Sequence, residues 1–218
     1  MAIKEYLPST LAARGERGDV ILRSPAHEES FALGLRSFIN EARLLARFDH
    51  PSLVKVFRFW EAHGTAYMVM PCYEGPTLYD ARRALEGPPD EAWLRALMDP
   101  LLGALDCLHR VQVYHRDVAP DNILVVSDPD APQGMRPVLL DFGAARRVIT
   151  ESSQALTAIL KPSFAPIEQY AETSQLRQGP WTDLYGLAAV LHYCITGRTP
   201  VPATARAVHD DLPVLRQM

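Results

Sequence analysis

The sequence predicts an α+β fold with two lobes, a small β-rich lobe at the N-terminus and a larger α-helical lobe after it. Short apolar and alternating segments, which are typical of strands, end at Met70. Longer segments with helical spacing begin after Gly75. We therefore expect one domain of 218 residues, in which residues 1–70 form the first lobe, residues 71–75 a hinge and residues 76–218 the second lobe.

The composition is that of a folded globular protein, with 48% hydrophobic and 22% charged residues. A formal net charge of −4 and a pI near 6.0 give no basic field, so we expect no nucleic-acid partner and no membrane contact within this chain. The N-terminus has no signal-peptide pattern, and the apolar run from Leu184 to Ile195 is too short to span a bilayer. We expect a cytoplasmic location, or the cytoplasmic face of a membrane if a further C-terminal region carries an anchor.

The cysteines Cys72, Cys107 and Cys194 are isolated in the sequence and lie in apolar stretches. Their odd number and their spacing fit neither a disulfide framework nor a metal-binding motif. We therefore expect three buried, unreactive thiols in a reducing compartment.

In the N-terminal region, Ala2-Ile3 indicates the end of a strand, and the stretch that follows, up to about Leu35, is rich in proline, glycine, serine and charge. That composition predicts a long, mostly irregular connection. Helical spacing then extends from Ser37 to Phe48. Two strands, Leu53–Trp60 and Ala66–Met70, follow with a short turn between them and predict a hairpin.

The second region contains two helical segments, two short apolar strands and a last apolar helix: Leu78–Leu85, Glu91–Arg110, Ile123–Val126, Val138–Leu140 and Asp183–Thr196. Pro100 lies inside the second helical segment and should kink it or end its first section, because proline has no backbone donor, but we still expect one element. The last segment is apolar on nearly all sides, which predicts a buried helix.

Charged and polar residues concentrate in the segment His115-Arg116-Asp117-Val118-Ala119-Pro120-Asp121-Asn122, and Asp141-Phe142-Gly143 follows after two predicted strands. The two segments resemble the catalytic loop and the metal-binding motif of protein kinases, in the order and approximate spacing of that family. The residues of these motifs are similar to those of bacterial members of the eukaryotic-like Ser/Thr type.

Three further segments match the family in the right order: Ala2-Ile3-Lys4, Ala165-Pro166-Ile167-Glu168, and Asp183 with Gly186. They resemble the strand of the nucleotide-binding lysine, the end of the activation loop, and the helix that supports the catalytic loop. The resemblance covers essentially the whole chain. It implies a protein-kinase-like two-lobe fold.

The resemblance also implies phosphoryl transfer from ATP with magnesium. Lys4 would hold the α- and β-phosphates, and Glu41 would position Lys4 through an ion pair. Asp117 would act as the catalytic base toward the substrate hydroxyl. Asn122 and Asp141 would supply the oxygen ligands that magnesium prefers.

By the same resemblance, Ala2 and Leu124 would enclose the adenine ring between apolar surfaces. Met70 precedes the hinge, where the backbone of Pro71 and Tyr73 would bond to the adenine edge. Pro71 can contribute only its carbonyl oxygen, because it has no N–H group.

His115 is expected to be a packing residue without a role in proton transfer. Arg116, directly before the catalytic aspartate, suggests control by phosphorylation of the activation loop. The candidate phosphorylation sites are Ser152, Ser153 and Thr157.

The chain departs from the family pattern at several places. No glycine-rich loop precedes Lys4, and the chain ends soon after the last apolar helix, so we expect a domain that lacks both ends. Ala119 stands where Ser/Thr kinases usually carry a lysine, and Leu160-Lys161 replaces a Gly-Thr pair. These positions bear on γ-phosphate stabilisation and substrate specificity. The long spacing from Lys4 to Glu41 predicts an insertion before the helix.

Three functions remain open from the sequence. The first is an ATP- and magnesium-dependent kinase that phosphorylates Ser or Thr in proteins, in signalling. The second is a pseudokinase, a nucleotide-binding or scaffold module without phosphotransfer, which the missing glycine loop, Ala119 and Lys161 favour. The third is a small-molecule phosphotransferase, which would lack the Ala165–Glu168 segment.

Overall fold

The computed structural model describes residues 1–140, 160–170, 177–213 and 215. These residues belong to two compact units. The first contains residues 1–50 and 54–72, and the second contains residues 51–53 and the described residues from 73 onward. Both helices and small antiparallel sheets are present, which confirms the predicted α+β class. The hinge at 71–75 stays a prediction.

The first unit combines strands with one long helix. Its elements are β1 (Ala2–Glu5), β2 (Ala12–Arg14), β3 (Val20–Leu22), α1 (Glu28–Leu45), β4 (Arg58–Ala62) and β5 (Thr65–Met70). β1, β5 and β4 form an antiparallel sheet in that order, so β5 is the central strand. The register places Ala2 opposite Met70 and Lys4 opposite Met68. Met68 is buried, so the unit's core includes the central strand.

The predicted hairpin is present, although its first strand is shorter than expected. β4 and β5 pair across a turn at His63 and Gly64, both of which have positive φ. The strand begins at Arg58 and not at Leu53. Val54 and Val56 are buried and lie before it, outside any strand. The alternation of buried Val54 and Val56 with exposed Lys55 and Phe57 therefore reflects burial, and it does not mark a paired strand.

Helix α1 is longer than the sequence predicts, since it begins at Glu28 and not at Ser37. The sequence did not indicate this earlier start, because Gly34 interrupts the helical pattern there. Here glycine is required by packing: a Cβ at position 34 would lie 2.0 Å from the Tyr6 hydroxyl oxygen. Tyr6 is buried against Phe31 and Phe38 of the helix, and burial raises its pKa to about 12.

The connection before α1 was predicted to be mostly irregular, and this is wrong in part. β2 and β3 form a small antiparallel sheet, with Ala12 opposite Leu22. Each strand has only three residues, too few for alternation to stand out from the surrounding polar composition. The extra residues between Lys4 and Glu41 are therefore partly this sheet and partly the early start of α1.

The second unit is mainly helical. Its elements are α2 (Leu78–Arg83), α3 (Glu91–His109), β6 (Ile123–Ser127), β7 (Met135–Leu139), α4 (Pro180–Thr196) and α5 (Ala203–Arg206). β6 and β7 pair in antiparallel register, with Leu124 opposite Val138. Leu97, Leu101, Leu105 and Leu108 of α3 are buried at helical spacing. The predicted elements of this region are confirmed to within a few residues.

Two helices of the second unit agree with the sequence in part. α3 is one continuous helix that contains Pro100, and Asp90 caps it by accepting a hydrogen bond from the Trp93 N–H. α4 begins at Pro180, three residues before the predicted start, and it is buried on one face only, since Trp181 and Leu184 are exposed. Proline suits the first helical position because the N–H it lacks has no partner there. No helix in the described ranges is long and apolar enough to cross a membrane.

The cysteines differ in exposure, so the prediction of three buried thiols is wrong for Cys72. Cys72 is exposed, Cys107 is intermediate and Cys194 is buried. Burial raises the pKa of the Cys194 thiol to about 12. Cys72 follows the last strand of the first unit, in a segment too short for sequence periodicity to indicate burial.

We predict that a maleimide or iodoacetamide reagent modifies Cys72 of the native chain first and leaves Cys194 unmodified at pH 8. Thiolate is the reactive species, and the raised pKa of Cys194 together with its burial keeps that thiol protonated and inaccessible. Mass spectrometry of tryptic peptides after timed labelling measures both. Modification of Cys194 before Cys72 in the folded chain would contradict the exposures described here.

Candidate active site

Within the first unit, the structure brings Lys4 and Glu41 together as predicted. Lys4 lies on β1 and Glu41 on the buried face of α1, and Lys4 Nζ is 3.8 Å from Glu41 Oε1. The Glu41 side chain is 1% exposed, whereas that of Lys4 is 35% exposed. Burying a carboxylate without a cation costs free energy, so Glu41 needs the nearby Lys4 ammonium. The lysine head remains accessible to an anion.

The five residues predicted to contact adenine are divided between the two units. Ala2 and Met70 face each other in the β1–β5 register and are partly exposed. Leu124 lies on β6 and makes a bridge to Thr77. Pro71 follows β5 and Tyr73 begins the second unit; both are partly exposed. The binding roles of these five residues stay predictions.

The catalytic-loop segment is tightly bonded to itself. Asn122 Nδ2 donates to the Asp117 backbone oxygen at 2.8 Å and to Asp117 Oδ2 at 2.7 Å. Asn122 ends a short 3₁₀ turn, Pro120–Asn122, and is buried. Both bonds use the amide NH₂ group, so they leave the amide oxygen of Asn122 for another contact. The Asp117 carboxylate is thereby fixed in orientation.

His115 links the same loop to the end of β7. Its Nε2 lies 2.7 Å from the Leu140 carbonyl oxygen, and its Nδ1 lies 3.3 Å from the Asp117 N–H. An Nε2-protonated ring satisfies both contacts, because Nε2 then donates and Nδ1 accepts. His115 is 1% exposed. These contacts favour the structural role that the sequence assigns to His115.

Asp183, in the first turn of α4, anchors the catalytic loop through hydrogen bonds to its backbone. Its carboxylate accepts hydrogen bonds from the backbone N–H of His115 at 2.9 Å and of Arg116 at 2.6 Å. It also accepts one from His109 Nε2 at 2.8 Å. Arg116 has φ +66°, which is unfavourable for a residue with a side chain. The two backbone bonds from Asp183 hold this strained turn.

Gly186 allows α4 to approach the loop closely. A Cβ at position 186 would lie 2.9 Å from the Val118 carbonyl oxygen and 3.1 Å from the Val118 Cβ. Neither atom belongs to a flexible side-chain end, so a larger residue would push the loop away. Asp183 and Gly186 lie one turn apart on α4 and act on the same loop.

A lysine from another segment also reaches the catalytic loop. Lys161 Nζ lies 3.2 Å from Asp117 Oδ1 and 2.8 Å from Asp121 Oδ1. Ala119, by contrast, is fully buried. The sequence indicated that both positions depart from the family pattern. The loss of a lysine at position 119 and the gain of one at position 161 was the one signal in the sequence that could have linked the two positions.

A cavity of about 460 Å³ opens next to this lysine. Its lining is mostly apolar, and its residues come from α2, the loop, the 160–164 segment and the segment after α4: Tyr79, Pro120, Asp121, Leu160, Lys161, Pro162, Ser163, Phe164 and Thr199. A concave apolar surface with a few charged groups at one side is suited to binding a side chain of a ligand.

Several predicted residues lie outside the described part of the chain. These are Asp141, Phe142 and the candidate phosphorylation sites Ser152, Ser153 and Thr157. Among the described residues, no group of three or more His, Cys, Asp or Glu side chains is placed to hold a metal ion. The predicted magnesium ligands are Asn122, which is described, and Asp141, which is not.

We predict that Asp183→Asn lowers the free energy of unfolding by about 3 kcal/mol. The amide cannot accept from two backbone N–H groups and a histidine together, so at least one buried donor loses its partner. Urea unfolding measures the change. Asp106→Asn is the matched control, because Asp106 makes an exposed pair with Arg110 on a helix surface. Equal stability of the two variants would contradict the anchoring role.

Comparison with known proteins agrees with these geometric features. The profile of the protein kinase domain matches residues 21–216. A solved structure, the apo form of PpkA-294, superposes with a TM-score of 0.86 at 45% identity and covers 99% of this chain and 73% of that one. That likeness identifies the two units as parts of a two-lobe kinase fold.

Curated relatives include kinases from bacteria and from an animal. The Ser/Thr-protein kinase PknL of Mycobacterium tuberculosis is 33% identical over 178 residues, which is 80% of this chain and 41% of PknL. Sperm motility kinase 2B of Mus musculus is 32% identical over 168 residues, which is 77% of this chain and 32% of that protein. The chain thus spans less than half the length of these relatives. On the profile match and the solved structure together, the chain belongs to the protein kinase domain family.

Proposed function

We propose that this chain transfers the γ-phosphoryl group of ATP to serine or threonine hydroxyls of protein substrates. The observation that supports this most directly is the fixed Asp117 carboxylate, held by Asn122 at 2.7 Å and anchored through the neighbouring backbone by Asp183. Phosphoryl transfer needs little covalent work from the protein and depends on positioning. A buried, bonded loop that presents one carboxylate meets that need.

Asp117 is the base in this proposal. One of its carboxylate oxygens accepts the proton of the substrate hydroxyl as that hydroxyl attacks the γ-phosphorus. Asn122 limits rotation of the carboxylate, and His115 holds the Asp117 N–H from the other side. The second oxygen, Oδ1, lies 3.2 Å from Lys161 Nζ.

The donor set fits magnesium. The amide oxygen of Asn122 is not used in its hydrogen bonds to Asp117, and an amide oxygen with a carboxylate is the kind of ligand that magnesium takes. We propose Asn122 and Asp141 as its protein ligands. When bound, the ion neutralises charge on the phosphates of ATP. The Leu140 N–H donates to the Asn122 backbone oxygen at 2.8 Å, which ties the residue before Asp141 to the catalytic loop.

Lys4 is proposed to bind the α- and β-phosphates. Its ammonium is partly exposed while its partner Glu41 is buried, so the lysine can contact Glu41 and a nucleotide at the same time. Ala2, Met70, Pro71, Tyr73 and Leu124 are proposed to surround the adenine ring. Their partial exposure in the protein without ligand is consistent with such a role.

We further propose that the substrate is a protein segment and that the protein acts in signalling in the cytoplasm. The apolar cavity beside Asp121 and Lys161 can take a side chain next to the phosphorylated residue. A small-molecule phosphotransferase has no need of such a surface. The curated relatives are named as kinases, which gives no support to the pseudokinase alternative.

We predict that Asp117→Asn lowers kcat for phosphate transfer at least about 10²-fold, because the amide cannot accept the hydroxyl proton. Transfer of labelled γ-phosphate from ATP with magnesium onto the protein itself and onto a basic protein measures it, in the intact protein. Asp130→Asn, at an exposed loop position, is the matched control. Wild-type protein that binds ATP but transfers nothing would overturn the kinase proposal and leave the pseudokinase.

We predict that Glu41→Gln lowers kcat/KM for ATP by roughly 10²-fold, since Lys4 loses the charge that positions it. Initial rates over a range of ATP concentrations measure it. Glu29→Gln is the control on the same helix, at an exposed position. If both variants retain wild-type kcat/KM, then the Lys4–Glu41 pair has no part in nucleotide binding.

A further inference from the structure

Position 119 of the catalytic loop cannot supply a cation, but Lys161 places one against the same loop. Ala119 is fully buried and ends in a methyl group. We propose that Lys161 contacts the γ-phosphate during transfer, so that the catalytic cation comes from the 160–164 segment and not from the loop. This inference rests on the proposed kinase function and adds a catalytic residue to it.

The distance to Asp117 supports this assignment. Lys161 Nζ lies 3.2 Å from Oδ1, the carboxylate oxygen that Asn122 does not hold. In a reactive complex the substrate hydroxyl contacts the base, and the γ-phosphorus lies about 3–3.5 Å from that hydroxyl. An ammonium that already touches the base is therefore within reach of an oxygen of the transferring group.

The electrostatic balance of the loop also calls for a cation. Asp117 and Asp121 place two carboxylates where an anionic nucleotide must approach, and the Lys161 ammonium lies against both. The side chains of Lys161 and Asp117 are only 19% and 13% exposed, so solvent screens their charges weakly. In the transition state charge spreads over the oxygens of the phosphoryl group, and a fixed cation beside them stabilises it.

The Lys161 Nζ atom is buried against the two carboxylates but makes no directional hydrogen bond there, so a phosphate oxygen reaches it when the lysine side chain turns. Neither of its two carboxylate contacts has the angles of a hydrogen bond, so both are ion pairs without directional bonding. Lysine carries three donors on a flexible stem and acts as a point charge. Lys161 can thus stay near Asp117 while it donates to a phosphate oxygen.

The backbone of Lys161, in contrast, is held firmly. Its carbonyl oxygen accepts hydrogen bonds from the N–H groups of Phe164 at 2.8 Å and Ala165 at 3.0 Å. Further along the same segment, Gln169 Nε2 donates to the Arg116 carbonyl oxygen at 2.7 Å. The segment that carries the cation is therefore tied to the loop that carries the base.

The substrate hydroxyl oxygen forms a bond to the γ-phosphorus, and the bond from that phosphorus to the bridging oxygen of ADP breaks, with its electron pair leaving on ADP. The hydroxyl proton goes to Asp117. Lys161 keeps its protons throughout and stabilises charge on a non-bridging oxygen.

The test uses the intact protein with two neutral variants, Lys161→Met and Lys161→Thr, and the charge-conserving variant Lys161→Arg. We expect the neutral variants to lose about 10²- to 10³-fold in kcat, and Lys161→Arg to recover a large part of that loss. Lys55→Met is the matched control, because Lys55 forms an exposed ion pair with Asp49. Urea unfolding of each variant identifies any that fails to fold.

A second measurement does not depend on activity. We expect wild-type protein with magnesium to bind a non-hydrolysable ATP analogue more tightly than ADP, and the neutral variants to lose roughly tenfold of that preference. Calorimetric titration measures both affinities. An unchanged preference in a folded neutral variant would overturn the role of Lys161, even if the wild-type protein transferred no phosphate.

The activity outcomes separate the two proposals. If the wild-type protein transfers phosphate and the neutral variants do so within twofold, Lys161 is not the catalytic cation and the kinase function stands. If the neutral variants are faster than wild type, Lys161 restrains the base, and the inference is again overturned. If no variant and no wild-type protein transfers phosphate, the kinase proposal itself fails, and the affinity ratio alone decides the role of Lys161.

Discussion

The buried carboxylate of Asp183 is the constraint on which the catalytic loop depends. It accepts from two consecutive backbone N–H groups and a histidine, so its charge is fully bonded inside the second unit. A buried carboxylate with these partners is stable, and the same bonds hold Arg116 at a positive φ. The direction of Asp117, the next residue, follows from that turn. The conformation of the catalytic loop therefore depends on hydrogen bonds to a residue of α4, which lies outside the loop.

The first unit has a comparable dependence on packing. Glu41 can stay buried because α1 lies close to β1 and β5, and α1 can lie that close because residue 34 has no side chain to meet Tyr6. The position of a charged pair is thus set by a contact about two turns away along the same helix. In both units, a small residue and a buried acid on one helix position the residues proposed to bind or transform the nucleotide.

Sequence reasoning succeeded where the pattern is local and failed where the contact is distant. The strands around His63-Gly64, the long helix with Pro100 and the family motifs all followed from neighbouring residues. The early start of α1 did not, because glycine is unfavourable in a helix and the contact that favours it at position 34 is with Tyr6, far away in the sequence. The contact of Lys161 with Asp117 joins segments more than forty residues apart, which no periodicity can indicate. The exposure of Cys72 was missed because the short segment after β5 carries no pattern.

The placement of Lys161 has a consequence for how this kinase domain can evolve. With the cation on one segment and a fully buried alanine at the usual position, neither site can change alone without loss. Replacing Lys161 first removes the charge, and adding a lysine at 119 first crowds a closed space. A lineage that moves the cation between these two positions must therefore pass through a weakened intermediate or exchange both residues together. The two positions are therefore expected to change together, although more than forty residues separate them in the chain.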